Sequence, residues 1–348
     1  MPKYSFLSRW LLLLLMLVGV QSGVARATSG LNTVNTWLYV IDVNLSEEMV
    51  TQITESAYDM VVIDFIASEA FNTDYPLAEV IAEWHDAEIP KIVLAYIDVG
   101  QAESYRTYWQ PDWGLGNPEW ILSEDPDGWE ENYPVAYWYD EWRDIWLAED
   151  GYLAQIAEVG FDGVYLDWVE AYDDESVIAF AEQEGIDPIQ EMIWWVQDIG
   201  DALRSYNADA LVIGQNAAEL AVYPDYVEVI DAIAQEQVWF DGSADNEPAG
   251  DCPLPLTEAD IDSADYVASL SPECLEQYET YPESTLHVSS EWYLDSLMVA
   301  QDAGLPIFTI DYALEPENIA WVYQESRSLG FIPFVSSRAL NIYLDPVP

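Results

Sequence analysis

Residues 160–172 read Gly160-Phe161-Asp162-Gly163-Val164-Tyr165-Leu166-Asp167-Trp168-Val169-Glu170-Ala171-Tyr172. A glycine-bounded turn, GFDG, leads into an apolar run, VYL, that stops on a carboxylate. A short apolar run bounded by turn signals reads as a buried strand. Working outward, the same rhythm returns along the chain, predicting strands over 37–43, 59–65, 91–99, 164–167, 211–217, 232–239, 306–312 and 331–336. Stretches of helical period lie between them, at 46–56, 77–88, 139–159, 189–206 and 318–329. Near-continuous apolar strands alternating with helices imply a parallel sheet covered by helices. Eight such units predict an α/β fold, a (β/α)8 TIM barrel, as a single domain. No glycine-rich phosphate loop follows the first strand, which argues against a nucleotide-binding sheet. Two long segments, 101–138 and 241–282, are read as excursions over the catalytic face of the barrel.

The first 27 residues read as an export signal. Lys3 and Arg9 precede the apolar run from Trp10 to Val20, and Ala25-Arg26-Ala27 offers small residues for cleavage. The barrel domain is therefore expected over 28–348, secreted to an extracellular or periplasmic space and free of the membrane after cleavage. Beyond residue 27 the chain carries 6 basic groups, the 9 of the whole chain less Lys3, Arg9 and Arg26, against 65 acidic ones. Such a field excludes nucleic acid as a partner and disfavours anionic surfaces. It reads either as a solvated surface suited to salt or as an attraction for a cationic ligand. The 16 Trp and 23 Tyr argue for a packed globular chain over acidic disorder, which is poor in aromatics.

Cys252 and Cys274 fall in the second excursion. In an exported chain a lone pair favours a disulfide, with two buried thiols as the other reading. His85 and His287 are the two histidines, and neither sits at a strand end, which disfavours a Ser-His-Asp triad or a zinc site. No cofactor and no metal are expected, and the chain is expected to act as a monomer. The acidic loops EDPDG (124–128) and DGSADNE (241–247) lack calcium-hand spacing and read as solvated charge.

Asp42, Asp64, Asp98, Asp167, Asn216, Glu236 and Asp311 all fall at or near the carboxyl end of an expected strand. In a barrel those ends converge on the face that carries chemistry. Crowded carboxylates require hydrogen bonds, a cation or raised pKa values, and two in different roles suit glycoside hydrolysis. The chosen catalytic pair is Asp167, as nucleophile or base, and Glu236, as general acid. Tyr165, Trp168, Trp239 and Tyr172 flank it, as sugar-stacking faces or as barrel packing. Glu170 and Asp173, Asp174 and Glu175 read as loop charge.

These motifs, together with YIDVGQAESYRTYW (96–109) and YPVAYWYDEW (133–142), resemble glycoside hydrolase family 114. The same family pattern is matched at Gln215-Asn216, Gln235-Glu236-Gln237 and Ile310-Asp311-Tyr312. The resemblance implies Asp167 and Glu236 as catalytic carboxylates, and Asp64, Asp98, Glu103, Arg106, Asn216, Asp311 and Tyr312 as substrate-face residues. It implies endo-cleavage of an α-1,4-linked galactosamine polymer, a cationic polysaccharide partner. Gln101 stands where the family pattern has Glu, Gln215 where it has Lys, and Gln235 where it has Asn. Those departures frame the alternative, a non-catalytic carbohydrate-binding barrel. The separation of the two carboxyls would decide the stereochemical outcome.

Overall fold

Eight parallel strands form one sheet in strict chain order: β1 (Trp37–Val40), β2 (Met60–Asp64), β3 (Ile92–Asp98), β4 (Gly163–Asp167), β5 (Leu211–Gln215), β6 (Ala232–Glu236), β7 (Ile307–Asp311) and β8 (Ile332–Val335). The sheet curls into a nearly closed barrel. Across its seam the Trp37 indole donates to the Ile332 carbonyl at 3.0 Å. Helices lie between successive strands, as the alternation predicts. The computed structural model describes residues 30–41, 45–242, 251–282 and 284–347. The export signal, Asp42 and most of the loop DGSADNE lie outside those residues.

The motif GFDG has a physical reason at three of its four positions. Gly160 ends the helix Tyr152–Val159 at φ 104°, a conformation that favours glycine. Asp162 accepts the Val93 backbone N–H at 2.8 Å, tying the turn to β3. Gly163 has no room for a side chain, since a Cβ there would lie 2.1 Å from the Leu211 carbonyl oxygen. β4 then runs beside β3 and β5 in register, with Asp98 alongside Asp167.

Large rings fill the barrel interior. Trp37 meets Phe308 and Phe334 at centroid distances of 5.2 and 5.7 Å, and Tyr39 meets Tyr165 at 4.9 Å. Their edge-on and tilted arrangements are the ones aromatic quadrupoles favour. Two expectations need correction. The helical period over 139–159 belongs to two helices, Asp140–Leu147 and Tyr152–Val159, because Gly151 folds back onto the Trp146 carbonyl with no space for a Cβ. The aromatic segment 101–138 is partly an extension of the barrel's own core. Tyr108 and Trp120 pack edge to face or tilted against Trp142, Trp146 and Tyr152, and Trp113 packs edge to face on Trp120. An antiparallel pairing of Gln101–Glu103 with Asn132–Pro134 anchors it to the barrel mouth.

Candidate active site

A cavity of about 500 Å³ opens at the carboxyl ends of the strands. Strand alternation explains which side chains enter it. In a parallel sheet, residues paired across neighbouring strands point to the same face, and successive residues alternate. Asp98 pairs with Asp167, and Gln215 pairs with Ala234, two residues before Glu236. Asp98, Asp167, Gln215 and Glu236 thus share the inner face, and all four line the cavity.

Asp167 and Glu236 face each other across one amide. Gln215 Nε2 donates to Asp167 Oδ1 and to Glu236 Oε2, each at 2.7 Å. Those two oxygens are therefore no farther apart than twice that distance. Asp167 also accepts the Tyr96 hydroxyl at 2.6 Å and the Trp168 backbone N–H at 2.9 Å. Glu236 accepts the Asn216 amide at 2.9 Å and the Tyr312 hydroxyl. Tyr312 in turn takes an N–H from Arg338 at 3.1 Å, and the Arg338 guanidinium reaches within 3.6 Å of Glu236 Oε1.

The backbone is strained where these groups sit. Trp168, Asn216 and Gln237 follow directly on Asp167, Gln215 and Glu236, and all three adopt positive φ, between 55° and 58°. Such values are uncommon away from glycine and cluster at functional sites. Each turns the chain sharply and aims the preceding side chain into the cavity.

Burial governs the charges. Asp167 is pushed up to about 7, first by burial and then by the Glu236 carboxylate. Asp98, buried beside Asp167, is raised well above the usual carboxylate range by burial and by the Asp167 and Glu103 charges. Asp64 rises to about 6, with burial outweighing the pull of Arg106. Arg106 is fully engaged by Asp64, Glu103 and the Ser68 hydroxyl. It presents to the cavity a charge already paired, and Glu103 serves to hold it.

Three expected substrate-face residues stand elsewhere. Asp311 is buried, and its Oδ1 accepts the backbone N–H groups of Trp239 and Phe240 at 2.6 and 3.0 Å. Trp239 packs edge-on against Trp321 and donates to the Ser326 hydroxyl, on the outer side of the barrel. Tyr165 points inward one layer beneath Asp167, in the ring core. Trp168 and Asn216 do line the cavity, while Tyr312 acts from behind Glu236.

Other residues escaped the sequence reading. Glu170, expected as loop charge, lines the cavity with a buried Oε2 that has no hydrogen-bond partner among the described residues, and burial together with Asp167 raises it strongly. Arg338, just past β8, lies over the rings of Trp129 and Tyr312. Its signal was present, since it is one of 6 basic groups beyond residue 27 and follows the last strand end. Of the remaining acids, Asp174 caps the helix Glu175–Glu184.

The three glutamines are built into the site. Gln101 donates to Asp125 Oδ2 at 2.6 Å, where a second carboxylate would repel. Gln235 donates to Asn216 Oδ1 at 3.1 Å. Cys252 and Cys274 form a disulfide.

The glycoside-hydrolase family GH114 model matches residues 21–346. An uncharacterized protein of Deinococcus radiodurans is 33% identical over 286 residues, covering 82% of this chain and 75% of its own. Two solved structures share the fold. Aspergillus fumigatus Ega3, in complex with galactosamine, aligns with TM-score 0.55 at 16% identity, over 88% of this chain and 92% of its own. The glycoside hydrolase domain of PelA from Pseudomonas aeruginosa aligns with TM-score 0.55 at 16% identity, over 89% of this chain and 97% of its own. With the family model spanning nearly the whole sequence and the strand-end carboxyls gathered at one barrel mouth, the chain belongs to glycoside-hydrolase family GH114.

Proposed function

We propose that the protein is a retaining endo-glycosidase acting on an amine-bearing, α-linked galactosamine polysaccharide, with Asp167 as nucleophile and Glu236 as general acid and base. The observation that carries this reading is the shared amide of Gln215, which keeps oxygens of the two carboxyls within twice 2.7 Å. Retaining sites hold their carboxyls at about 5–5.5 Å, and inverting sites at roughly 6.5–9.5 Å.

The pair holds one proton up to near neutrality, because two buried carboxylates this close resist ionising together. As the acid of the reaction Glu236 brings the proton, and Asp167 reacts in its ionised form. Asp167 is then an anion served by the neutral donors Tyr96, Gln215 and the Trp168 N–H. Asp167 attacks the anomeric carbon while Glu236 protonates the departing glycosidic oxygen. The resulting glycosyl ester is released when Glu236 takes a proton from water and the hydroxyl attacks the same carbon. Two inversions leave the configuration unchanged.

The acidic cavity mouth suits a cationic polymer. Asp127, Glu130 and Glu131 join the catalytic acids there, against Arg338 and the already paired Arg106. The reading places the enzyme outside the cytoplasm as a single barrel domain over 28–348 after loss of residues 1–27. No helix among the described residues is long and apolar enough to cross a membrane.

The test is release of new reducing ends from a partly deacetylated α-1,4-galactosamine polymer. Asp167→Asn and Glu236→Gln should each lower the rate by at least about a thousandfold, in line with loss of a group acting in the transition state. Azide should rescue Asp167→Gly with inverted product and Glu236→Ala with retained product. Saccharide binding by wild-type protein without any new reducing ends would instead establish the non-catalytic barrel.

A further inference from the structure

We propose that Gln215 is the positioning residue of the catalytic pair: its uncharged amide sets the spacing of Asp167 and Glu236 and leaves them one proton to share. The inference rests on the reading of those two carboxyls as the reacting pair, and it concerns a residue that touches neither sugar nor leaving group in that scheme.

The geometry carries it. An amide nitrogen has two hydrogens in a fixed plane, and here each is spent on a different carboxylate at 2.7 Å. The opposite amide orientation would set a carbonyl oxygen against both acids. Gln215 is itself almost wholly buried, and its Oε1 has no hydrogen-bond partner among the described residues. Its position is fixed by pairing of β5 with β6 at Ala234. The following Asn216 also binds Glu236, donating to Oε2 at 2.9 Å and accepting its backbone N–H at 3.0 Å.

The groups around the pair explain why neutrality matters. Tyr39 faces it from β1, Tyr96 and Asp98 from β3, and Tyr165 from within β4. Glu170 stands just after β4, Tyr312 after β7 and Arg338 after β8. Among the described residues Arg338 is the one positive charge in ion-pair range of Glu236, and it approaches from the Tyr312 side. The space between the two carboxyls is therefore filled by a dipole. An ammonium there, like the Lys of the family pattern, would draw the pair's shared proton off at lower pH, since an opposite charge within about 4–6 Å lowers a carboxyl pKa by about 1–3 units. The amide lets this pair keep its proton to higher pH than a Lys-bearing site. Removing the amide instead leaves two acids repelling with nothing between them.

The experiment compares wild type with Gln215→Lys and Gln215→Met, the second keeping side-chain length without donors. Protein carrying 13C-labelled Asp and Glu carboxyls is titrated by NMR from pH 4 to 9, and the pair is identified by the signals lost in Asp167→Asn and Glu236→Gln. Gln215→Lys should move the pair's upper titration acidward by about one unit or more, and Gln215→Met should move it alkaline. The alkaline limb of kcat/KM on the galactosamine polymer should follow in the same directions. An unmoved titration in both folded variants, with near-UV circular dichroism unchanged, overturns the inference. If wild type releases no reducing ends while the titrations move as stated, the hydrolase reading fails, and Gln215 keeps only its control of how the two carboxyls titrate, its role in positioning a catalytic pair being overturned with that reading. If wild type hydrolyses and the titrations stay still, the assignment of Gln215 fails alone.

Discussion

Asp167 and Asp311 look alike in sequence, each closing an apolar strand and each followed by an aromatic residue, yet the sheet turns them to opposite faces. Ile310 pairs with Glu236 across β6 and β7, so Ile310 shares the inner face and Asp311, one step on, points outward. There it holds the loop after β6 through the Trp239 and Phe240 N–H groups, with Oδ2 buried and without a partner among the described residues. Burial raises Asp311 to about 7, ahead of the opposing pull of its backbone donors. Asp311→Asn keeps an acceptor for both N–H groups and removes the cost of ionising. It should therefore stabilise the fold at pH 8 by on the order of 1–2 kcal/mol, with a smaller gain at pH 5 and hydrolysis retained. Urea unfolding at the two pH values checks it. Loss of hydrolysis equal to that of Asp167→Asn, at unchanged stability, would place Asp311 at the substrate after all. Strand-end acids are visible in the sequence, but the face each one takes depends on inter-strand register, which a run such as IFTIDY does not encode. Glu170 was hidden for a related reason. It leaves β4 through a left-handed Trp168 that returns it to the cavity, and nothing in DWVEAY marks that turn.

At the scale of elements, all eight strands were legible because each is a short apolar run between turn signals. All but one of the runs overshoot their strands, as 232–239 does Ala232–Glu236, whereas 164–167 falls one residue short of Gly163–Asp167. The excursions were legible as lengths, and the second also as holding the Cys252–Cys274 disulfide. What organises the second is its own small core, in which the Cys252–Cys274 disulfide packs with Leu286 against Leu270 and Tyr278. That core reaches the site through Thr285, which donates to Gln237 at 2.9 Å beside the cavity. Cys252→Ser with Cys274→Ser opens a loop of 22 residues in sequence separation. A closure of that size is worth about 3 kcal/mol. The loss should be local: limited proteolysis should cut within 251–289 first, leaving a folded barrel fragment, and KM should rise more than kcat falls. A single cooperative transition in the double variant, with no fragment accumulating, would show that excursion and barrel unfold together.

For the whole molecule the decisive quantity is charge, with 65 acidic groups against 9 basic ones. Four buried carboxyls add to the surface repulsion, with Asp167, Asp241 and Asp311 raised to about 7 and Asp64 to about 6, burial being the first cause in each. In the unfolded chain such groups ionise near the ordinary value of 3.8. The folded state thus holds more protons than the unfolded one between roughly pH 4 and 7, and stability falls as pH rises through that window. Their contribution is fully present below the unfolded value and is lost on ascending through the folded values, the reverse of ordinary acid denaturation, where depressed carboxyls dominate. Surface repulsion has the same sign, because protonation relieves it. Salt acts on the surface part alone: the Debye length shortens from about 10 Å at 0.1 M to about 3 Å at 1 M, screening exposed acids far more than buried ones. The melting temperature should therefore climb as pH is lowered from 8 to 5, and at pH 8 it should climb with added sodium chloride. The salt gain should shrink at pH 5, while Asp311→Asn should flatten the pH slope and leave the salt slope intact. Scanning calorimetry over a grid of pH and salt separates the two, and a melting temperature that falls between pH 8 and 5 would refute the assignment of these four carboxyls as buried and proton-retaining.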